Sequence, residues 1–141
     1  MNRGKPRSPE SQSGLGRWES LADGVWVRRM VEGSGSAIHL YRLESGRRFE
    51  EHEHPFAELG VVLSGRCVFR VGGEPKTVRG GDSFYFPAGV RHGCEVVSAH
   101  PSVILDVAVP LASDATDEIS REVMAIARRT ARAPARGKSG T

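Results

Sequence analysis

The run from Gly46 to His92 constrains this chain more than any other stretch, because it places three of the five histidines and one glutamate at fixed offsets among turn-forming residues. His52 and His54 stand two apart, so on a β-strand both side chains point to one face. Glu58 keeps that parity, and His92 follows later in the chain, after Gly81, Pro87 and Gly89. Imidazole nitrogen and carboxylate oxygen are the usual protein ligands of divalent transition metals. Four such groups from two separate strands predict a metal pocket inside a β-barrel or sandwich.

Turn signals around this run support an all-β reading. Asp23-Gly24, Gly33-Ser34-Gly35-Ser36, Glu44-Ser45-Gly46, Ser64-Gly65, Gly72-Gly73 and Gly80-Gly81-Asp82 separate short apolar or alternating segments. These segments predict strands at Val25–Met30, Ala37–Leu43, Leu59–Leu63, Cys67–Val71, Phe84–Phe86, Glu95–Ser98 and Val103–Val109. After Pro110 the period changes. Asp114 or Thr116 can cap a helix whose apolar side carries Ile119, Val123 and Ile126, with Met124 and Ala127 beside them. Two roles suit that helix: a cover for the barrel, or a dimerisation element.

The spacing resembles that of the cupins. The pattern G-x5-HxH-x3-E-x6-G is met by Gly46, His52, His54, Glu58 and Gly65. The second pattern, G-x5-PxG-x2-H-x3-N, is met by Gly81, Pro87, Gly89 and His92, and departs only at Val96. The resemblance implies an all-β cupin fold, a double-stranded β-helix or jelly-roll barrel, here with one C-terminal α-helix. It implies His52, His54, Glu58 and His92 as ligands of one divalent transition metal: iron, manganese, nickel, zinc or copper. The expected organisation is a disordered leader over residues 1–17, a barrel over 18–112, a helix over 113–131 and a disordered basic tail over 132–141. A homodimer is the family's common state.

The stretches His52–Pro55, Val61–Gly65, Gly80–Phe84 and Val103–Pro110 are similar to the cupins of pectin and alginate breakdown, which open unsaturated uronates. In those enzymes the residue matching Asp106 belongs to the active site. The later aromatic and arginine of that pattern read Ala108 and Ala112 here. Cupin lyases of sulfonium compounds place a tyrosine two residues after the glutamate, where this chain has Gly60. Asp106 lies mid-strand with the parity of Ile104 and Ala108, so its carboxylate needs a partner or a raised pKa. As a catalytic residue it would act as a general base next to a metal-bound carbonyl; as a structural one it would bond a strand end or an arginine.

The expected function is therefore a metal-dependent enzyme acting on a small polar oxygenated metabolite, of sugar-acid or keto-acid type. Isomerase, hydratase or lyase chemistry by proton transfer is expected first, with an iron-dependent dioxygenase or a non-enzymatic ligand sensor as alternatives. His39 and Tyr41 share a strand face and are candidates for the pocket wall, as is one of Phe84 and Phe86. Arg42 is either a substrate-orienting group or a solvated strand residue. Cys67 and Cys94 read as reduced buried thiols, Cys94 near the pocket through its closeness to His92.

Charge narrows the partners. The chain carries +3 overall, but residues 18–113 hold ten basic and twelve acidic groups, so the positive charge sits at the two ends. Those ends lack interleaved aromatics, which argues for solubilising tails and against nucleic-acid binding. There is neither an 18-residue apolar run nor an apolar leader, so the expectation is no membrane partner and a cytoplasmic location.

Overall fold

A computed structural model describes residues 16–33, 36–109 and 118–134. Eleven strands and one helix follow in chain order: β1 (Trp18–Ala22), β2 (Val25–Gly33), β3 (Ser36–Leu43), β4 (Arg48–His52), β5 (Ala57–Ser64), β6 (Arg66–Val71), β7 (Glu74–Arg79), β8 (Ser83–Phe86), β9 (His92–Val96), β10 (Ser102–Val109), α1 (Glu118–Thr130) and β11 (Ala131–Arg132). They form two antiparallel sheets, one of six strands ordered β1-β2-β3-β10-β5-β8 and one of five ordered β11-β4-β9-β6-β7. This is the all-β architecture that the turn spacing predicts, in the jelly-roll form that the cupin resemblance implies.

Alternation of side chains fills the space between the sheets. Along β10, Ser102, Ile104, Asp106 and Ala108 are buried, while Val103, Leu105 and Val107 are half-buried on the other face. The six-stranded sheet contributes Val25, Val27, Leu43 and Val62 to the core, and the five-stranded sheet contributes Cys67, Phe69, Val78 and Val96. At about 25 cal/mol per Å² of apolar surface, burying each such side chain favours folding by about 1.5–3 kcal/mol.

Two details differ from the sequence reading. Ahead of the expected strand at Val25–Met30 stands a further one, Trp18–Ala22, which pairs antiparallel with β2 across the expected turn at Asp23-Gly24. More consequentially, His52, His54 and Glu58 do not lie on one strand. β4 ends at His52 and β5 begins at Ala57. Pro55 lies between them, without an N–H to continue the ladder, and it restricts the backbone of His54 before it. His54 is therefore a loop residue, and Glu58 belongs to the opposite sheet from His52.

α1 lies against the barrel through Val123, Met124, Ile126 and Ala127, all buried, with Arg121, Ala125, Arg128 and Arg129 exposed. Met124 and Ala127 belong to the main core cluster. The covering role thus belongs to this helix. Immediately after it, β11 pairs with β4, Ala131 opposite Phe49 and Arg132 opposite Arg48. Among the described residues no helix is long and apolar enough to cross a membrane. Residues 1–15 of the leader, the capping residues Asp114 and Thr116, the side chain of Ile119 and the end of the basic tail lie outside the described residues.

Candidate metal centre

His52 and His92 face each other as a register pair, at the end of β4 and the start of β9. Their ring centroids are 4.5 Å apart, and the His54 ring lies 5.5 Å from His52 and 4.7 Å from His92. One potential ligand atom from each of the three lies within 4.8 Å of the others. Each ring is oriented by its own backbone. Nδ1 of His52 lies 2.7 Å from the Glu50 carbonyl, that of His54 2.8 Å from Phe56 and that of His92 2.9 Å from Val90. A carbonyl only accepts, so each Nδ1–H donates, and the proton is held there. Nε2 then carries a lone pair on all three rings.

Glu58 completes the cluster from the other sheet. Its Oε1 is 3.2 Å from His54 Nε2 and its Oε2 is 3.5 Å from His92 Nε2. Both Nε2 atoms are buried without a well-aligned hydrogen bond. Lone pairs on two imidazoles thus face a carboxylate in a dry site, an arrangement that requires a cation or an added proton between them. Three neutral imidazoles and one carboxylate are a donor set suited to a divalent transition metal, and the three histidines can bind one.

Titration of the site follows from burial. Burial is the main cause lowering His52 to about 4, from an ordinary 6.5. Burial pushes the Glu58 carboxyl up, but in the metal-free chain a proton added at Nε2 of His54 and His92 supplies hydrogen bonds and charge that outweigh burial and bring Glu58 down to about 2. Asp106 moves the other way: burial first, then the charge of Glu58 and a hydrogen bond with it, hold its carboxyl well above the usual range. With Glu58 ionised and Asp106 protonated, the Asp106 O–H donates to Glu58.

Gly60 is the register partner of Asp106 across β5 and β10. A Cβ at Gly60 would strike the Leu105 carbonyl and the Phe84 ring, so no side chain fits and the two strands approach closely.

The centre opens into a cavity walled by side chains from both sheets and from α1. Phe69, Phe84 and Phe86 form one wall as mutual ring contacts with centroids 4.9–5.5 Å apart, and Phe86 stacks on His92 at 4.3 Å. Tyr41 and Phe49 form another in edge contact at 5.2 Å. Cys94 lies in the wall too, its thiol pushed up by burial. Val123, Ile126, Ala127 and Thr130 of α1 close the top.

Of the weaker candidates, Tyr41 lines the cavity, whereas His39 is buried next to it, 6.2 Å ring to ring. Arg42 is a solvated strand residue, 3.9 Å from Glu44. The contribution of α1 escapes a sequence reading, because its apolar stripe is the same whether it packs on a core or roofs a pocket.

A jelly roll with a three-histidine centre between its sheets defines a cupin. Residues 39–108 match the Cupin_2 family, described as a cupin domain, and the chain belongs to that family. It is 32% identical over 88 residues to the uncharacterized protein SCO3923 of Streptomyces coelicolor, a match covering 62% of this chain and 83% of the relative. Its fold is similar to that of an RmlC-like cupin from Shewanella frigidimarina, with TM-score 0.63, 22% identity and coverage of 81% of this chain and 98% of the other. KdgF from Halomonas sp. gives TM-score 0.61 at 18% identity, covering 74% and 93% of the two chains.

Proposed function

We propose that this cupin is a metal-dependent enzyme that moves a proton at the carbon beside a carbonyl in a small oxygenated metabolite, as an isomerase, hydratase or lyase. His52, His54, Glu58 and His92 hold the metal. When bound, the metal supplies a Lewis acid for the carbonyl oxygen. The observation that carries this reading is Asp106, a buried carboxyl that lines the cavity and is held above its ordinary range by burial and by Glu58.

In this reading Asp106 is the proton carrier. It delivers its proton to one substrate atom and, as a carboxylate, recovers one from the neighbouring carbon, so an isomerisation leaves it unchanged. Burial keeps its pKa high enough to make both directions accessible. The Nδ1–carbonyl bonds hold the three imidazoles in one tautomer, and α1 keeps bulk water off the exchanging proton. The resemblance of Val103–Pro110 to uronate-opening cupins supports a related proton transfer on another substrate.

Element-resolved metal content of the purified chain against His92→Ala tests the site. About one transition metal per chain is expected in the wild type and close to none in the variant; a metal-free wild type after reconstitution overturns the reading. Stoichiometric oxygen uptake by an iron-loaded protein would replace proton transfer with dioxygenation. Tight ligand binding without turnover would make the chain a sensor.

We also propose a homodimer. On the outside of the six-stranded sheet, exposed Leu59 stands opposite exposed Tyr85, with exposed Leu63 further along the same strand. An apolar sheet face of this kind is shielded by association. Sedimentation equilibrium is expected to give twice the chain mass, and a chain-sized particle at high concentration refutes it.

A further inference from the structure

The cavity above the metal centre is built of rings and aliphatic groups, and its roof comes from outside the matched family segment. Residues 39–108 supply the ligand set and the Phe69–Phe84–Phe86 wall. The roof is α1, residues 118–130, through Val123, Ile126 and Ala127. The pairing of Ala131 with Phe49 anchors this helix directly beside the pocket, since Phe49 is itself a wall residue. Thr130 Oγ1 donates to the Ile126 carbonyl at 2.8 Å, which spends the hydroxyl within the helix and leaves an apolar underside facing the cavity.

Polar atoms are therefore concentrated at one end. The ionisable groups at the floor are His52, His92, Glu58 and Asp106, with Tyr41 and Cys94 of the wall close enough to feel the charge of Glu58 and Asp106, and Phe86 stacks on His92 to begin an aromatic surface leading on to Phe84 and Phe69. Such a gradient matches a ligand with one polar head and an apolar body. A polyhydroxylated sugar body would lose water against rings that offer no replacement hydrogen bonds, at a cost of about 1–3 kcal/mol for each buried hydroxyl left unpaired.

We infer that the ligand of this pocket is a ring-bearing chelator, an oxygen-donor head for the metal on an apolar body, and that α1 is the element selecting that body. The inference rests on the metal-site reading above. It shifts the expected substrate from sugar-acid type towards an aromatic or alicyclic carbonyl compound. Phe84 and Ile126, from the wall and the roof, are specificity-determining residues.

Three hydroxamates sharing one chelating head test it on the full zinc-reconstituted chain by isothermal titration: benzohydroxamate, acetohydroxamate and gluconohydroxamate. Benzohydroxamate is expected to bind at least about tenfold tighter than acetohydroxamate, the increment of burying a ring against apolar walls, with gluconohydroxamate no tighter than acetohydroxamate. Ile126→Ala and Phe84→Leu should each shrink the benzo-to-aceto ratio several-fold while zinc content and acetohydroxamate affinity hold. The two variants change different walls, so failure of one to fold leaves the other informative. Equal affinities for the three, or tightest binding of the sugar-bodied probe, overturns the inference with the metal site standing. A wild type that takes up no zinc, measured before any ligand is added, overturns both.

Discussion

At the scale of single residues, the site is governed by where protons sit. Three backbone carbonyls hold the Nδ1 protons and turn three lone pairs inward, while Glu58 and Asp106 share one proton between two buried carboxyls. For Asp106, whose folded pKa lies well above its ordinary 3.8, favourable protonation is fully present below that value and is lost as pH rises through the folded pKa. Asp106→Asn keeps a donor to Glu58 and cannot ionise. The metal-free variant is expected to unfold at higher urea than the wild type at pH 8, by about 1 kcal/mol, with the gap closing as pH falls. Its turnover should drop about 100-fold or more with metal content intact. A variant less stable than wild type across the whole range would show that Asp106 is a structural carboxylate.

At the scale of elements, α1 is both core and roof. Met124 belongs to the main hydrophobic cluster at 5% exposure, so Met124→Ala should cost about 2–4 kcal/mol in urea unfolding. Arg132 pairs with Glu50 at 3.2 Å, but both side chains are more than 40% exposed, so Arg132→Ala should change stability by less than about 1 kcal/mol. The contrast checks that α1 is held by apolar burial. A reversed order would mean that the ion pairs at its end anchor it.

At the scale of the whole molecule, acid is the stress to which this design responds. His52 is lowered from 6.5 to about 4, so its neutral form contributes stability that is present above pH 6.5 and lost as pH falls towards 4. Glu58, lowered from 4.5 to about 2, adds a second loss as pH falls from 4.5 towards 2. Metal-free protein should therefore weaken in two stages on acidification, and His52→Gln should remove the upper one. Urea midpoints measured from pH 8 to pH 3 check this, and a flat profile between 6.5 and 4.5 contradicts it. Bound metal should steepen the same window, since protons compete for the ligands.

The local grammar of this chain was enough to reveal the strands, the two motifs and the inward parity of Asp106. Each of these depends on a short-range rule: glycine turns, a period of two, or fixed spacing between ligands. Sequence alone placed His52, His54 and Glu58 on one strand, because spacing carries no information about Pro55 ending a ladder. Which groups meet across the barrel was decided by tertiary structure. Glu58 reaches His54 and His92 from the opposite sheet, and Asp106 reaches Glu58 because β10 pairs with β5. The roof over the pocket was settled the same way. An apolar helical stripe seeks any apolar surface, and its packing on the barrel core together with the pairing of β11 with β4 determines that α1 lines the cavity of the metal centre.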